Sequence, residues 1–303
     1  MCSSSCKVIK QLSATEREKF FDSFDVVFCD CDGVVWYTMR DFIPGSAKAI
    51  EELQHRGKQL TFVTNNSISS VADHLHKFAK QRQLQIDKKQ IVHPAQTICD
   101  HLKSIGFEGL IYCLAMPPFK QVLRDAGFQL TEEREASIIA SLGELREAIF
   151  GAESVQAVII DVDFNLTAAK LMRAHVQLQN PNCLFLAGAA DALIPFGTGD
   201  IIGPGAFIDV VAQSTGRQPT VLGKPGEALR PLLQQRHAHV PANRVLFIGD
   251  SLASDIGFAR ASGYQTLLVL TGGTSNTDVA SLPPDHAHLP DYIGDCLGDL
   301  CEQ

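Results

Sequence analysis

The apolar positions of this 303-residue chain follow two recurring patterns. Short, branched runs at 26–29, 60–63, 220–222, 245–248 and 266–270 each stop at small polar or acidic residues, as strands buried on both faces do. Between them, apolar side chains return every three or four positions. Ala47, Ile50 and Leu53 ahead of Gly57 predict a helix with glycine just past its end, and an N-terminal lead carries another over roughly 14–23. Alternating strands and helices predict an α/β fold, a Rossmann-like doubly wound parallel sheet with right-handed crossovers.

The interval from Asn66 to Lys224 is longer than a crossover needs. Apolar runs at 110–114, 157–160 and 184–187, with helical stretches near 118–126 and 166–178, predict an inserted α/β cap over 95–205. The first sheet's domain then comprises 1–94 and 206–303, joined to the cap through His93-Pro94 and Gly203-Pro204-Gly205. Pro225 is expected to open a helix toward Gln235, with Pro231 kinking or splitting it. Ligands of such sheets bind at the carboxyl ends of the strands. Asp30, Asp32, Thr64, Lys224 and Asp250 all fall there.

Composition is that of an ordinary globular protein, 45% hydrophobic and 20% charged. A net charge of -8 without a Lys/Arg cluster argues against nucleic-acid partners and anionic membranes, leaving a small molecule or a protein. No apolar run reaches the length of a membrane span, and the start Met-Cys-Ser-Ser-Ser-Cys-Lys lacks the apolar segment of a secretory signal, so a cytoplasmic protein is expected. Nine cysteines in no regular framework read as reduced thiols, with Cys2/Cys6 and Cys296/Cys301 the pairs near the ends.

Asp30 and Asp32 stand two apart where the chain is still extended, so their carboxylates lean to one side before Gly33 turns the backbone. Burying two like charges is costly unless a cation compensates. With a phosphate monoester at these strand ends, Mg²⁺ takes hard oxygen ligands from Asp30 and Asp250. Asp30 attacks phosphorus to give an aspartyl phosphate, while Asp32 protonates the leaving oxygen and then deprotonates water. Lys224, the Thr64 hydroxyl and the N–H groups around Asn65, read as a helix N-terminus, offset the phosphoryl charge. Asp255 is expected to open the helix ending at Gly263 and to orient Lys224 or a metal-bound water.

Asp30-Cys31-Asp32-Gly33-Val34, Thr64-Asn65-Asn66-Ser67, Gly223-Lys224-Pro225, and Gly249-Asp250 with Asp255 resemble the four motifs of the haloacid dehalogenase (HAD) superfamily. A large cap between the second and third motifs resembles the type-two arrangement. Thr-Asn-Asn-Ser with Gly-Lys-Pro resembles the 4-nitrophenylphosphatase branch, which holds phosphoglycolate and pyridoxal phosphate phosphatases. The resemblance implies Asp30 as nucleophile and Asp32 as acid/base. It implies Mg²⁺ on Asp30, Asp250 and the backbone carbonyl of Asp32, phosphate held by Thr64, Asn65, Asn66 and Lys224, and Asp255 in support. It also implies a homodimer formed through the cap.

The cap departs most from that pattern. Ala187-Gly188-Ala189-Ala190-Asp191 stands where relatives carry Thr-Asn-x-Asp, so only Asp191 remains there to set specificity, and the substrate class is a small phosphorylated metabolite. Rival readings lapse on spacing. Gly33 falls too early for an EF-hand, and there is no Gly-x-Gly-x-x-Gly after a strand and no Gly-Lys-Ser/Thr loop. The alternative from another class is a catalytically weak or silent HAD-fold binding or scaffold protein.

Overall fold

A computed structural model describes residues 6–301 apart from 39, 82–83, 133–137, 152 and 197–198, so Cys2 and its pairing lie outside the described residues. Cys296 and Cys301 are free thiols. Seven parallel strands form the first sheet, in the spatial order Lys7–Val8, Tyr292–Gly294, Gln265–Val269, Val245–Gly249, Val26–Cys29, Gln59–Val63 and Ile91–Val92. Within Val26–Cys29, Val27 and Cys29 face a core holding Phe20, Trp36, Phe62 and Phe78, whereas Val26 and Phe28 face one holding Leu233, Phe247 and Phe258. Period-two alternation with apolar residues on both sides explains the unbroken apolar run. The chain leaves this strand toward Gln59–Val63 on one side and returns through Val245–Gly249 on the other. Its carboxyl end is therefore the topological switch point, where α/β sheets open a crevice.

Helices form close to their expected positions. Ala14–Asp22 starts at a Ser13 capping box with Glu16, and Ser46–His55 precedes Gly57, whose φ of 71° is a left-handed conformation that glycine adopts without strain. Two placements differ. The helix expected from Pro225 begins only at Leu229 and runs to Arg236, so Pro231 lies in its first turn, where a missing N–H breaks no intrahelical bond and no kink follows. Thr64 to Ser67 is a loop, because the Ser70–Asp73 capping box sets the next helix at Val71–Ala79.

A second parallel sheet runs Thr220–Val221, Leu184–Ala187, Ala157–Ile160, Leu110–Leu114, Gln129–Leu130, and an antiparallel hairpin pairs Leu193–Phe196 with Gly199–Ile202. Thr220–Val221 bonds to Leu186 and Ala187, not to the first sheet as expected. Pro204–Thr215, preceded by Gly203, packs Ile208, Val211 and Ala212 into the same core as Val158 and Phe185. Gly203-Pro204-Gly205 is thus a helix start pressed on the 190–191 loop, where a Cβ on Gly203 would meet the Asp191 carbonyl at 2.1 Å. Strand and helix membership carries the second sheet's elements past residue 205, to 221.

His93 caps helix Pro94–Ser104: its Nδ1 accepts the Ala95 N–H at 3.2 Å, and Nε2 faces the Ser69 carbonyl at 3.1 Å. One nitrogen accepts and the other donates, so the ring is held neutral. Burial, with His74 nearby, pushes its pKa down to about 4. Because the folded value lies below the unfolded one, this stabilisation is complete above about pH 6.5 and is lost as pH falls toward 4, a loss of roughly 3 kcal/mol. Denaturant titrations should show this acid-side loss shrinking in His93→Asn, which keeps a capping side chain without a titrating ring. An unchanged slope would remove His93 as its source.

Candidate active site

Three strand ends of the first sheet deliver the site. Asp30 follows Val26–Cys29, Thr64 follows Gln59–Val63, and Asp250 follows Val245–Gly249. Lys224 comes from the turn beyond Thr220–Val221, so the second sheet supplies the cation. Its Nζ lies 2.7 Å from Asp30 Oδ1 and 2.7 Å from Asp255 Oδ1. Lys224 is 2% exposed and Asp255 0%, which makes this an ion triad away from water.

Asp255 is used up by the protein. Besides Lys224 it accepts the N–H groups of Asp250 (3.1 Å) and Ser251 (3.0 Å), and it lies in a π-helical turn, Leu252–Gly257, ahead of Phe258–Ala261. It therefore stands inside the helical segment instead of opening it, in contact with the Lys224 ammonium. Asp250 Oδ2 accepts the Gly273 N–H at 2.5 Å. A Cβ on Gly272 would fall 1.9 Å from that oxygen and one on Gly33 2.5 Å from it, so both glycines leave room for the carboxylate.

Charge in the cluster is unbalanced. Burial raises the Asp30 carboxyl well above its ordinary range; Lys224 opposes the rise, and Asp255 and Asp250 add to it. Burial, then the Asp255 charge, lifts Asp250 to about 7. Burial alone would lower Lys224, but Asp255 and Asp30 overcome it and raise its pKa. Carboxylate oxygens of Asp30, Asp250 and Asp255 come within 4.8 Å of one another. Three buried acids against one lysine, all hard oxygen donors, fit an oxygen-preferring divalent cation. Asp255 is taken by protein donors, so Asp30 and Asp250 are the side chains able to hold it.

Asp32 accepts the Asn66 Nδ2–H at 3.1 Å through Oδ2, while its Oδ1 is buried and has no partner among the described residues. Asn66 therefore positions Asp32, a different contact from the phosphate binding expected of it; its own N–H goes to Thr64 Oγ1 at 3.0 Å. That bond leaves the Thr64 hydroxyl hydrogen to donate. The Asn65 side chain is also spoken for: Nδ2 donates to Asp191 (2.8 Å) and to the Lys224 carbonyl (2.8 Å), and Oδ1 accepts the Lys224 N–H (2.9 Å). Among the described residues its backbone N–H has no hydrogen-bond acceptor, unlike its side chain. Asp191, expected to set specificity, bonds Asn65 and, at 2.9 Å, Ser254. Cys29 and Cys31 on either side of Asp30 are buried and their thiols pushed up by burial, so they are poor nucleophiles.

Sequence reasoning missed Ser254, Gly272 with Gly273 as a carboxylate seat, and the pair Ser67 and Asp161. Asp161 had a visible signal, an acid immediately after a buried apolar run, as at Asp30 and Asp250.

Residues 27–129 match the haloacid dehalogenase-like hydrolase family and residues 221–300 a HAD-hydrolase-like family. Fold and site thus define a HAD-like hydrolase. The chain is similar to a 4-nitrophenylphosphatase of Schizosaccharomyces pombe, 32% identical over 97% of this chain and 98% of that one. It is also similar to phosphoglycolate phosphatase 2 of Arabidopsis thaliana, 29% identical over 95% and 96%. A solved p-nitrophenyl phosphatase from Archaeoglobus fulgidus shares the fold, with a TM-score of 0.77 over 92% of this chain and 98% of that one at 22% identity. The chain belongs to the HAD superfamily, in its 4-nitrophenylphosphatase and phosphoglycolate phosphatase branch, and is a phosphoric monoester hydrolase. Relatives named as enzymes do not favour the silent scaffold.

Proposed function

We propose that the protein hydrolyses small phosphate monoesters, phosphoglycolate-like, pyridoxal phosphate-like or aryl, through an aspartyl phosphate on Asp30, with Mg²⁺ held by Asp30, Asp250 and the Asp32 carbonyl. The observation that carries this is Lys224 between Asp30 and Asp255, with Asp250 beside them, at the switch point of the sheet. When bound, the metal neutralises the acids and draws off charge from the phosphoryl oxygens. Lys224 and the Thr64 hydroxyl face the same oxygens, and Asp255 keeps the ammonium in place. Asp30 attacks phosphorus and the ester oxygen leaves. Asp32, aimed by Asn66, protonates that oxygen and then takes a proton from the water that opens the acyl phosphate.

The unit carrying the second sheet acts as the cap over this site, with Asp191 at its junction to the first sheet. A homodimer through the cap is part of the same reading, and exposed Leu142 and Phe150 on helix Leu142–Phe150 offer apolar surface for it. Among the described residues no helix is long and apolar enough to cross a membrane; a cytoplasmic location remains a proposal from the sequence.

Release of 4-nitrophenol from 4-nitrophenyl phosphate tests the reading. Chelating the divalent cation should lower turnover by roughly a hundredfold or more, since metal charge stabilisation amounts to several kcal/mol, and added Mg²⁺ should restore it. Full activity in chelator would sink the metal assignment. A panel of phosphorylated metabolites compared by kcat/KM then identifies the ester class.

A further inference from the structure

We propose that Asp161 is a positioning residue for phosphoryl transfer, a carboxylate from the second sheet that ties the 64–67 loop to the 187–191 loop. Asp161 follows strand Ala157–Ile160 and is 2% exposed. Its Oδ1 accepts the Ser67 hydroxyl and, at 2.6 Å, the Val162 N–H, while Oδ2 accepts the Ala189 N–H at 2.8 Å. Three donors converge on one buried side chain, a set that suits an ionised carboxylate, which only accepts. Burial pushes its carboxyl up to about 6; the three donors oppose the rise and the Asp191 charge adds to it.

The space for this contact is made by Gly188. A Cβ there would lie 1.9 Å from Asp161 Oδ2 and 3.2 Å from Pro94 Cβ, so any side chain at 188 would displace the carboxylate. What Asp161 grips is next to the chemistry on both sides. Ser67 closes the loop that carries Thr64 and Asn65, and Ala189 lies two residues before Asp191, which itself bonds Asn65 and Ser254. Asp161 and Asp191 thus form a double clasp, one carboxylate on each end of the phosphate loop. Asn65 passes the constraint on to Lys224 through both of that residue's backbone groups. With the clasp closed, the Thr64 donor and the Lys224 charge are held in register around one phosphate.

This inference rests on reading 64–67 as the phosphate loop, and the test separates the two. Asp161→Ala removes the acceptors of the Ser67 hydroxyl and of the Val162 and Ala189 N–H groups together. In the full-length protein with Mg²⁺, KM for 4-nitrophenyl phosphate and the inhibition constant of inorganic phosphate should both rise roughly tenfold, with kcat changing far less. Ser67→Ala should give the same split, and the double variant should be no worse than Asp161→Ala alone, because that change already cuts the Ser67 bond. A merely structural role would lower the melting temperature without that selective loss of phosphate affinity. The proposal is overturned if both single variants fold and keep phosphate affinity within about twofold of the parent, or if the two losses multiply. Should the parent hydrolyse no ester, the proposed function fails, yet calorimetric titration with inorganic phosphate still decides the clasp by the same affinity ratio.

Discussion

Asp30→Asn is expected to lower kcat by roughly four orders of magnitude or more, because the amide cannot attack phosphorus and the remaining donors stabilise a transfer that no longer has a nucleophile. The fold should survive. Asp30 shares a buried cluster with Asp250 and Asp255 against the single Lys224 charge, and its folded pKa is raised, chiefly by burial. A raised carboxyl contributes stability that is full below its unfolded pKa near 3.8 and is lost as pH climbs through the folded value. At neutral pH the ionised group therefore opposes folding in metal-free protein, and its removal should hold or raise the denaturation midpoint. Rapid acid quench with a labelled ester should trap phosphoprotein in the parent and none in the variant. A variant with turnover within tenfold of the parent would rule out the aspartyl-phosphate route.

Lys224→Met carries the largest stability effect. The side chain is nearly inaccessible and pairs with two carboxylates at 2.7 Å each, so its loss leaves Asp30 and Asp255 buried with no cation between them. Breaking a buried pair from one side costs about 3–5 kcal/mol. The loss should be greatest at alkaline pH and shrink as pH falls, since protonating Asp30 or Asp250, both already raised, relieves the repulsion. Added Mg²⁺ should recover part of it by binding the native state alone. Activity should drop by roughly a thousandfold as well, the scale of losing a preorganised charge beside the transferring group. Urea titrations at two pH values decide this: a midpoint shift worth less than about 1 kcal/mol at pH 8 would mean that the triad contributes little to the fold.

How much of this was legible in the sequence depends on distance along the chain. Val26–Cys29 announced a doubly buried strand because all four of its residues are apolar, and each face finds its own core. Asp30, Asp250 and Thr64 were placed at strand ends because each apolar run stops at a polar residue, and the sheet brings those ends together. Lys224 was placed correctly beside the acids and after the right strand, but that strand was assigned to the wrong sheet: Val221 pairs with Ala187 of the second sheet. Two-residue strands carry too little periodicity to say which neighbour they join. The sequence also could not show that Asn65 and Asn66 spend their side chains on Lys224, Asp191 and Asp32, since an amide beside a strand end looks the same whether it meets a phosphate or another loop.

Local chemistry thus determined the strands, most of the helices, the class of fold and the inventory of acids, because periodicity, capping and the cost of buried charge act within a few residues. Tertiary structure decided which donor each acid meets. Lys224 reaches Asp255 across 31 positions and Asp161 reaches Ser67 across 94. Such pairings depend on how the two sheets stand against each other, which is set by the summed burial of both cores and by no short segment of the chain.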